Sequence, residues 1–319
     1  MLEYVCFERN DMKMKKLSPA YKDFLWGGNK LVKEYGLDYE GDCLAEAWVL
    51  STHKDGPSLV EENGQSLSFL EYLEKEGKAI LGTSAQKYER FPLLIKLIDA
   101  NRDLSIQVHP NDEYALVHEH QYGKTEAWII LEAEEGASIC YGFKDEITKE
   151  EFEKAIKENT LIEKLNYIEV HKGDVFLIEA GTIHATGKGI VFAEVQQSST
   201  VTYRVYDYNR VDKDGNHRPL HIAEALEVTH LKPTQKKDFG NHTIDCDYFV
   251  VDCLEVEDEY VLEGSEESFT SLVVLEGKGI IQEGKECIDI QKGDSLFLPS
   301  GKMNYVLKGK MNCLMSRVK

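Results

Sequence analysis

The chain has 319 residues, longer than an ordinary domain of ~100–200 residues and suited to two. Hydrophobic residues at 42% and charged residues at 29% exclude a disordered or fibrous chain. A formal charge of −20, with no basic run longer than Lys13–Lys16, excludes a nucleic-acid partner, although cations in a low-dielectric cleft could still hold a small anion.

From the N-terminus, residues 1–9 show no basic segment followed by an apolar one, and nowhere do 18 apolar residues run together. A cytoplasmic protein without a membrane partner is expected. The seven cysteines (6, 43, 140, 246, 253, 287 and 313) form no C-x-x-C pair, which fits reduced thiols rather than a disulfide framework or zinc finger.

Residues 66–76 read as helix. In Leu104-Ser-Ile-Gln-Val-His-Pro110, strand alternation puts Ser105, Gln107 and His109 on one face and Ile106 and Val108 on the other. The polar stretch 111–123 lacks alternation, so His118 and His120 are expected on a solvated surface despite their metal-like spacing. A second strand follows Gly123, with Lys124 and Glu126 on a shared face. Residues 147–165 read as an amphipathic helix, with Phe152 and Ile156 one turn apart and Thr148 as N-cap before Glu151.

The segment 171–184, His-Lys-Gly-Asp-Val-Phe-Leu-Ile-Glu-Ala-Gly-Thr-Ile-His, recurs at 291–304 as Gln-Lys-Gly-Asp-Ser-Leu-Phe-Leu-Pro-Ser-Gly-Lys-Met-Asn. Upstream, 127–133 resembles 271–277, and the helix at 147–165 accounts for the change of offset. His217 and His221, with a proline between them, read as a turn leading into a helix. A polar, proline-interrupted stretch at 231–239 divides the chain into residues 1–235 and 236–319. Short strands with this Gly-Asp and small-Gly punctuation resemble the cupin jelly roll. The expected fold is mainly β: two cupin-type jelly-roll barrels, the N-terminal one larger and decorated with helices.

Gln107, His109, Glu126 and His184 together offer two imidazoles, a carboxylate and an amide oxygen, a set suited to zinc. Singly, a strand Gln-x-His or a strand-end His is an ordinary polar residue. In the second repeat Asn304 replaces His184 and Thr270 replaces Glu126, so that copy is expected to be structural.

Five segments in order resemble the type I mannose-6-phosphate isomerases in their short bacterial form: Phe91–Ala100, Leu104–Pro110, Gly123–Trp128, Ala180–Ala185 and Gln196–Tyr208. The resemblance covers about residues 20–230, and more loosely the C-terminal part; the helical insertion of long members is absent. It implies one zinc ion per chain, bound by the same four residues, and a phosphorylated hexose substrate. It implies aldose–ketose isomerisation between mannose 6-phosphate and fructose 6-phosphate through an enediol. It also makes Arg204 the active-site arginine and Lys96, Ser105, Lys124, Glu194 and Trp26 pocket residues; for proton transfer Glu194, Lys124 or a zinc-bound water are the candidates, and for holding phosphate Lys96 and Lys124. Two readings compete: an iron-dependent cupin oxygenase, since two His and a carboxylate also describe its metal triad, and a sugar-sensing cupin with a structural metal.

Overall fold

The computed structural model describes residues 14–211, 215–235 and 237–319; Cys6, Lys13 and Lys236 at the expected boundary lie outside them. The strands form three open sheets. In the first half a six-stranded sheet runs in the order Val175–Ile178, Glu126–Ala133, Ile190–Gln197, Leu93–Ala100, Glu46–Leu50 and Ala20–Lys22. A five-stranded sheet, ordered Leu165–Glu169, Ser138–Phe143, His184–Thr186, Ile106–Val108 and Tyr203–Tyr206, meets it across a core containing Ile98, Trp128, Ile130, Ile139 and Phe192.

The other face of the six-stranded sheet is also covered. Leu93, Ile95, Leu97, Ile129, Val191 and Val195 share a core with Phe249, Val273, Phe297 and Leu314 of the C-terminal half. Leu93–Ala100 and Ile190–Gln197 are therefore buried at every position, and a strand covered on both faces shows no apolar–polar alternation. Lys96 and Glu194 are polar exceptions in these two strands and need partners.

The C-terminal half centres on two long paired strands, Thr270–Glu283 and Asn304–Val318, around an apolar core that includes Leu272, Val274, Leu296, Leu298, Tyr305 and Leu307. Its ten-stranded sheet takes in Lys15–Ser18, Leu59–Glu62 and Gln65–Ser68 from the start of the chain, with Lys15–Ser18 antiparallel to Ser295–Leu298. Phe69, Phe91, Phe269 and Phe297 form a ring-to-ring circuit across the halves, with centroids 5.1–5.3 Å apart. The mainly β architecture with helices in the first half is as expected. Among the described residues no sheet closes into a continuous ring of backbone hydrogen bonds, so the two cupin-type barrels are seen as packed sheets and their closure is not established.

The repeat is visible in the register. Ile178 pairs with Glu126, and at the corresponding place Leu298 pairs with Thr270. Gly173 and Gly293 open the two copies at φ +92° and +93°, a left-handed conformation natural to glycine. Thr148 and Glu151 form a capping box at the start of helix Lys149–Lys157, but Asn159 turns left-handed at φ +59° and breaks the expected helix, and a strand begins at Leu165. The helix expected over 66–76 begins at Phe69, because Ser68 caps it with Glu71 and residues before it pair as a strand. No helix among the described residues is long and apolar enough to cross a membrane.

Candidate metal centre and its surroundings

Four strands bring the first group together. His184 and Arg204 both pair with Gln107, from opposite sides of the Ile106–Val108 strand, while Glu126 reaches in from the facing sheet. His109 Nε2 lies 3.2 Å from Glu126 Oε1, and His184 Nε2 lies 3.8 Å from Glu126 Oε2. Each imidazole Nδ1 meets a carbonyl, Val201 O at 2.8 Å for His109 and Thr182 O at 2.9 Å for His184. A carbonyl only accepts, so each Nδ1 carries the proton and both Nε2 lone pairs turn inward. Gly181, at φ +87°, shapes the turn before His184; its N–H donates to His109 O at 2.8 Å, and a Cβ there would meet the His230 ring at 2.8 Å.

Electrostatics favour the ligand forms. Burial, reinforced by Lys124, pushes His109 down to about 3, and burial lowers His184 as well, so both are neutral near pH 7. Burial alone would raise Glu126, but the Lys124 ammonium holds it well below the usual carboxylate range. Lys124 Nζ sits against Glu126 Oε1 and 3.2 Å from His109 Nε2. Glu126 Oε1 nevertheless has no hydrogen bond of good geometry. Three buried ligand atoms thus converge on a place where a cation already stands, an arrangement that fits a metal ion. Gln107 is adjacent, with its amide nitrogen 3.5 Å from His184 Nε2 and its oxygen 3.4 Å from Ser105 Oγ; a half-turn of the amide exchanges them.

The second group lies beside it. Lys96 Nζ donates to Glu194 at 2.7 Å and stands 3.8 Å from Glu46. Burial, then the charge of Glu126, raises Glu194 above the ordinary carboxylate value. Burial would lower Lys96, but Glu194 and Glu46 outweigh it and keep the ammonium charged. Arg204 donates from Nε to Ser105 Oγ at 3.2 Å and from a terminal nitrogen to Pro219 O at 3.0 Å.

Nine of the expected residues thus fall into linked groups, and Trp26 stands apart. It packs with Ile98, Trp128 and Phe192 and lines a cleft of about 470 Å³ with Arg102, Arg210 and Arg218. His118 and His120 are exposed, as expected, with the His118 ring stacked on Tyr114. His217 is exposed too, whereas His221 is half-buried and its Nδ1 accepts the Arg204 backbone N–H at 3.2 Å. Sequence reasoning missed Glu46 and Trp48. The signal was there: Glu46-Ala-Trp48 duplicates Glu126-Ala-Trp128.

The profile of "Phosphomannose isomerase type I, catalytic domain" matches residues 14–136, and that of "Mannose-6-phosphate isomerase, cupin domain" matches residues 239–318. Mannose-6-phosphate isomerase ManA of Bacillus subtilis is 36% identical over 312 residues, spanning 94% of this chain and 97% of its own. The mannose-6-phosphate isomerase of Streptococcus mutans is 37% identical over 301 residues, spanning 92% and 94%. The crystal structure of the mannose 6-phosphate isomerase from Bacillus subtilis superposes with a TM-score of 0.88 at 32% identity, covering 96% of this chain and 99% of that one. With its mainly β fold of packed sheets, its buried His–Glu–His cluster and these near full-length matches, the chain belongs to the type I mannose-6-phosphate isomerase family.

Proposed function

We propose that this protein is a cytoplasmic enzyme that interconverts mannose 6-phosphate and fructose 6-phosphate through an enediol, with one zinc ion per chain held by Gln107, His109, Glu126 and His184. The observation that carries the reading is the buried His109–Glu126–His184 cluster inside the fold of this family. When bound, the metal supplies Lewis acidity toward the sugar's C1 and C2 oxygens, because one carboxylate and three neutral ligands leave the site near +1.

The chain's own residues account for the rest. Removing a proton next to a carbonyl builds negative charge on oxygen, and Arg204, permanently protonated and tied to Ser105, offers a fixed cation for it. Glu194 is the group proposed to carry the proton between C2 and C1, since burial lifts its proton affinity toward the working range. Lys124 assists by favouring the ionised, ligating form of Glu126. Lys96 and Lys124, expected as phosphate holders, are each already committed to a carboxylate. The phosphate is better served by the cleft of Trp26, Arg102, Arg210 and Arg218, where three guanidinium groups face the two carboxylates of Asp23 and Asp207, the latter shared by Arg210 and Arg218, and leave net positive charge.

A coupled assay with mannose 6-phosphate on metal-analysed protein tests this. Expected are one zinc per chain, loss of turnover with a chelator and recovery on adding zinc. Full activity in metal-free protein, or two zinc ions per chain, would overturn it.

A further inference from the structure

Glu46 has no part in the mechanism above, yet it is buried at 9% exposure beside the Lys96–Glu194 pair. Its surroundings repeat those of Glu126. Trp48 Nε1–H donates to Glu46 Oε2 at 2.6 Å, and Trp128 Nε1–H donates to Glu126 Oε2 at 3.0 Å. Residues two apart on a strand share a face, so in both copies the indole clamps the carboxylate that precedes it. In one copy the clamped group is the candidate metal ligand. In the other it faces Lys96.

Glu46–Leu50, Leu93–Ala100 and Ile190–Gln197 are neighbours in the sheet, with Trp48 and Glu194 both in register with Lys96. The Lys96 ammonium is therefore held from three directions: Glu194 at 2.7 Å, Glu46 at 3.8 Å and the Trp48 ring with its centroid 5.6 Å away. Glu194 alone would neutralise it. A second buried carboxylate adds a desolvation cost that neutrality does not require. What it adds is geometry, because a lysine on a flexible four-carbon stem is not fixed by a single contact.

We infer that Glu46, clamped by Trp48, is a positioning residue that fixes the Lys96 ammonium against the Glu194 carboxylate and acts on the isomerisation through Lys96. The inference rests on the proposed role of Glu194 in proton transfer.

The test is a double-mutant cycle in the zinc-loaded, full-length protein, reading kcat, KM for mannose 6-phosphate and zinc content. Glu46→Gln is expected to lower kcat by about 10- to 100-fold, the scale of an ångström-sized misplacement. KM should stay within about threefold, since ground-state binding is untouched, and zinc content should not change. Glu46→Asp, which keeps the charge but retracts it, should fall between Glu46→Gln and wild type. In a Lys96→Met background Glu46→Gln should cost nothing further, because a residue acting only through Lys96 has nothing left to position. Trp48→Phe, which keeps the ring and removes the N–H, should give a smaller kcat loss that also vanishes with Lys96→Met, and it serves if Glu46→Gln does not fold. Additive losses, a loss confined to KM, a loss that follows zinc, or unchanged kcat would each overturn the inference while leaving the isomerase reading intact. An inactive zinc-loaded wild type would instead sink the isomerase reading itself.

Discussion

Arg204 illustrates how one side chain is given a fixed direction. Its strand is held by the His221 imidazole at the backbone N–H, and its guanidinium by Ser105 Oγ and Pro219 O. A cation so restrained stabilises charge that grows during reaction, without reorganising as it does so. Arg204→Met is accordingly expected to depress kcat roughly 10²–10³-fold while moving KM far less. Steady-state kinetics on the zinc-loaded variant decide it, and a near-wild-type kcat would reject the role. If Arg204 grips phosphate instead, KM takes the loss, since the dianion is present in ground and transition states alike. At this scale the candidate ligands were legible in the sequence because strand parity is a local rule: Ser105, Gln107 and His109 had to share a face. Glu46 was not legible by that rule. What gives it meaning is Lys96, which meets it only through sheet pairing.

Among the elements, the internal repeat offers a control that few single chains contain. His184 and Asn304 open corresponding strands, after turns that share the same glycine, yet His184 is fully buried beside Glu126 while Asn304 is exposed. Opposite it, Thr270 accepts a hydrogen bond from Arg317 Nε at 2.9 Å, where the first copy has the Glu126 carboxylate. The interior of the second copy is filled by Leu272, Val274, Ile281, Leu296 and Leu307. His184→Ala should therefore abolish turnover and zinc retention, and Asn304→Ala should change neither. Metal analysis and activity of the two purified variants check this; equal losses in two well-folded proteins would remove the division into a catalytic and a structural copy. Punctuation by Gly-Asp turns made the repeat readable from sequence, as did the Thr148–Glu151 box for the inserted helix. The end of that helix was not readable, because residues 147–165 keep an amphipathic pattern past Asn159, where the backbone turns left-handed.

For the molecule as a whole, the division into residues 1–235 and 236–319 is proposed as one of function rather than of independent folding. Nothing local in Lys15–Ser18 reveals that it will extend the C-terminal sheet beside Ser295–Leu298, since pairing across nearly the full chain leaves no sequence period. The same holds for the phenylalanine circuit, in which Phe69 and Phe91 from the first half enclose Phe269 and Phe297 from the second. Removing the C-terminal half would strip one whole face of the six-stranded sheet that carries Glu46, Lys96, Glu126 and Glu194. Exposing a large apolar sheet face and an unpaired strand edge invites association rather than folding. A fragment of residues 1–235 is thus expected to be insoluble or to lack a cooperative melt, whereas the full chain should unfold in one transition. Phe297→Ala in the full chain should lower stability by about 3–5 kcal/mol, the usual cost of emptying a buried phenylalanine site. It should do so without splitting that transition. Denaturant unfolding followed by fluorescence and by zinc release reads both quantities. A soluble fragment that melts cooperatively and isomerises mannose 6-phosphate as the full chain does would show that the shared sheet and the aromatic circuit are dispensable to the catalytic half.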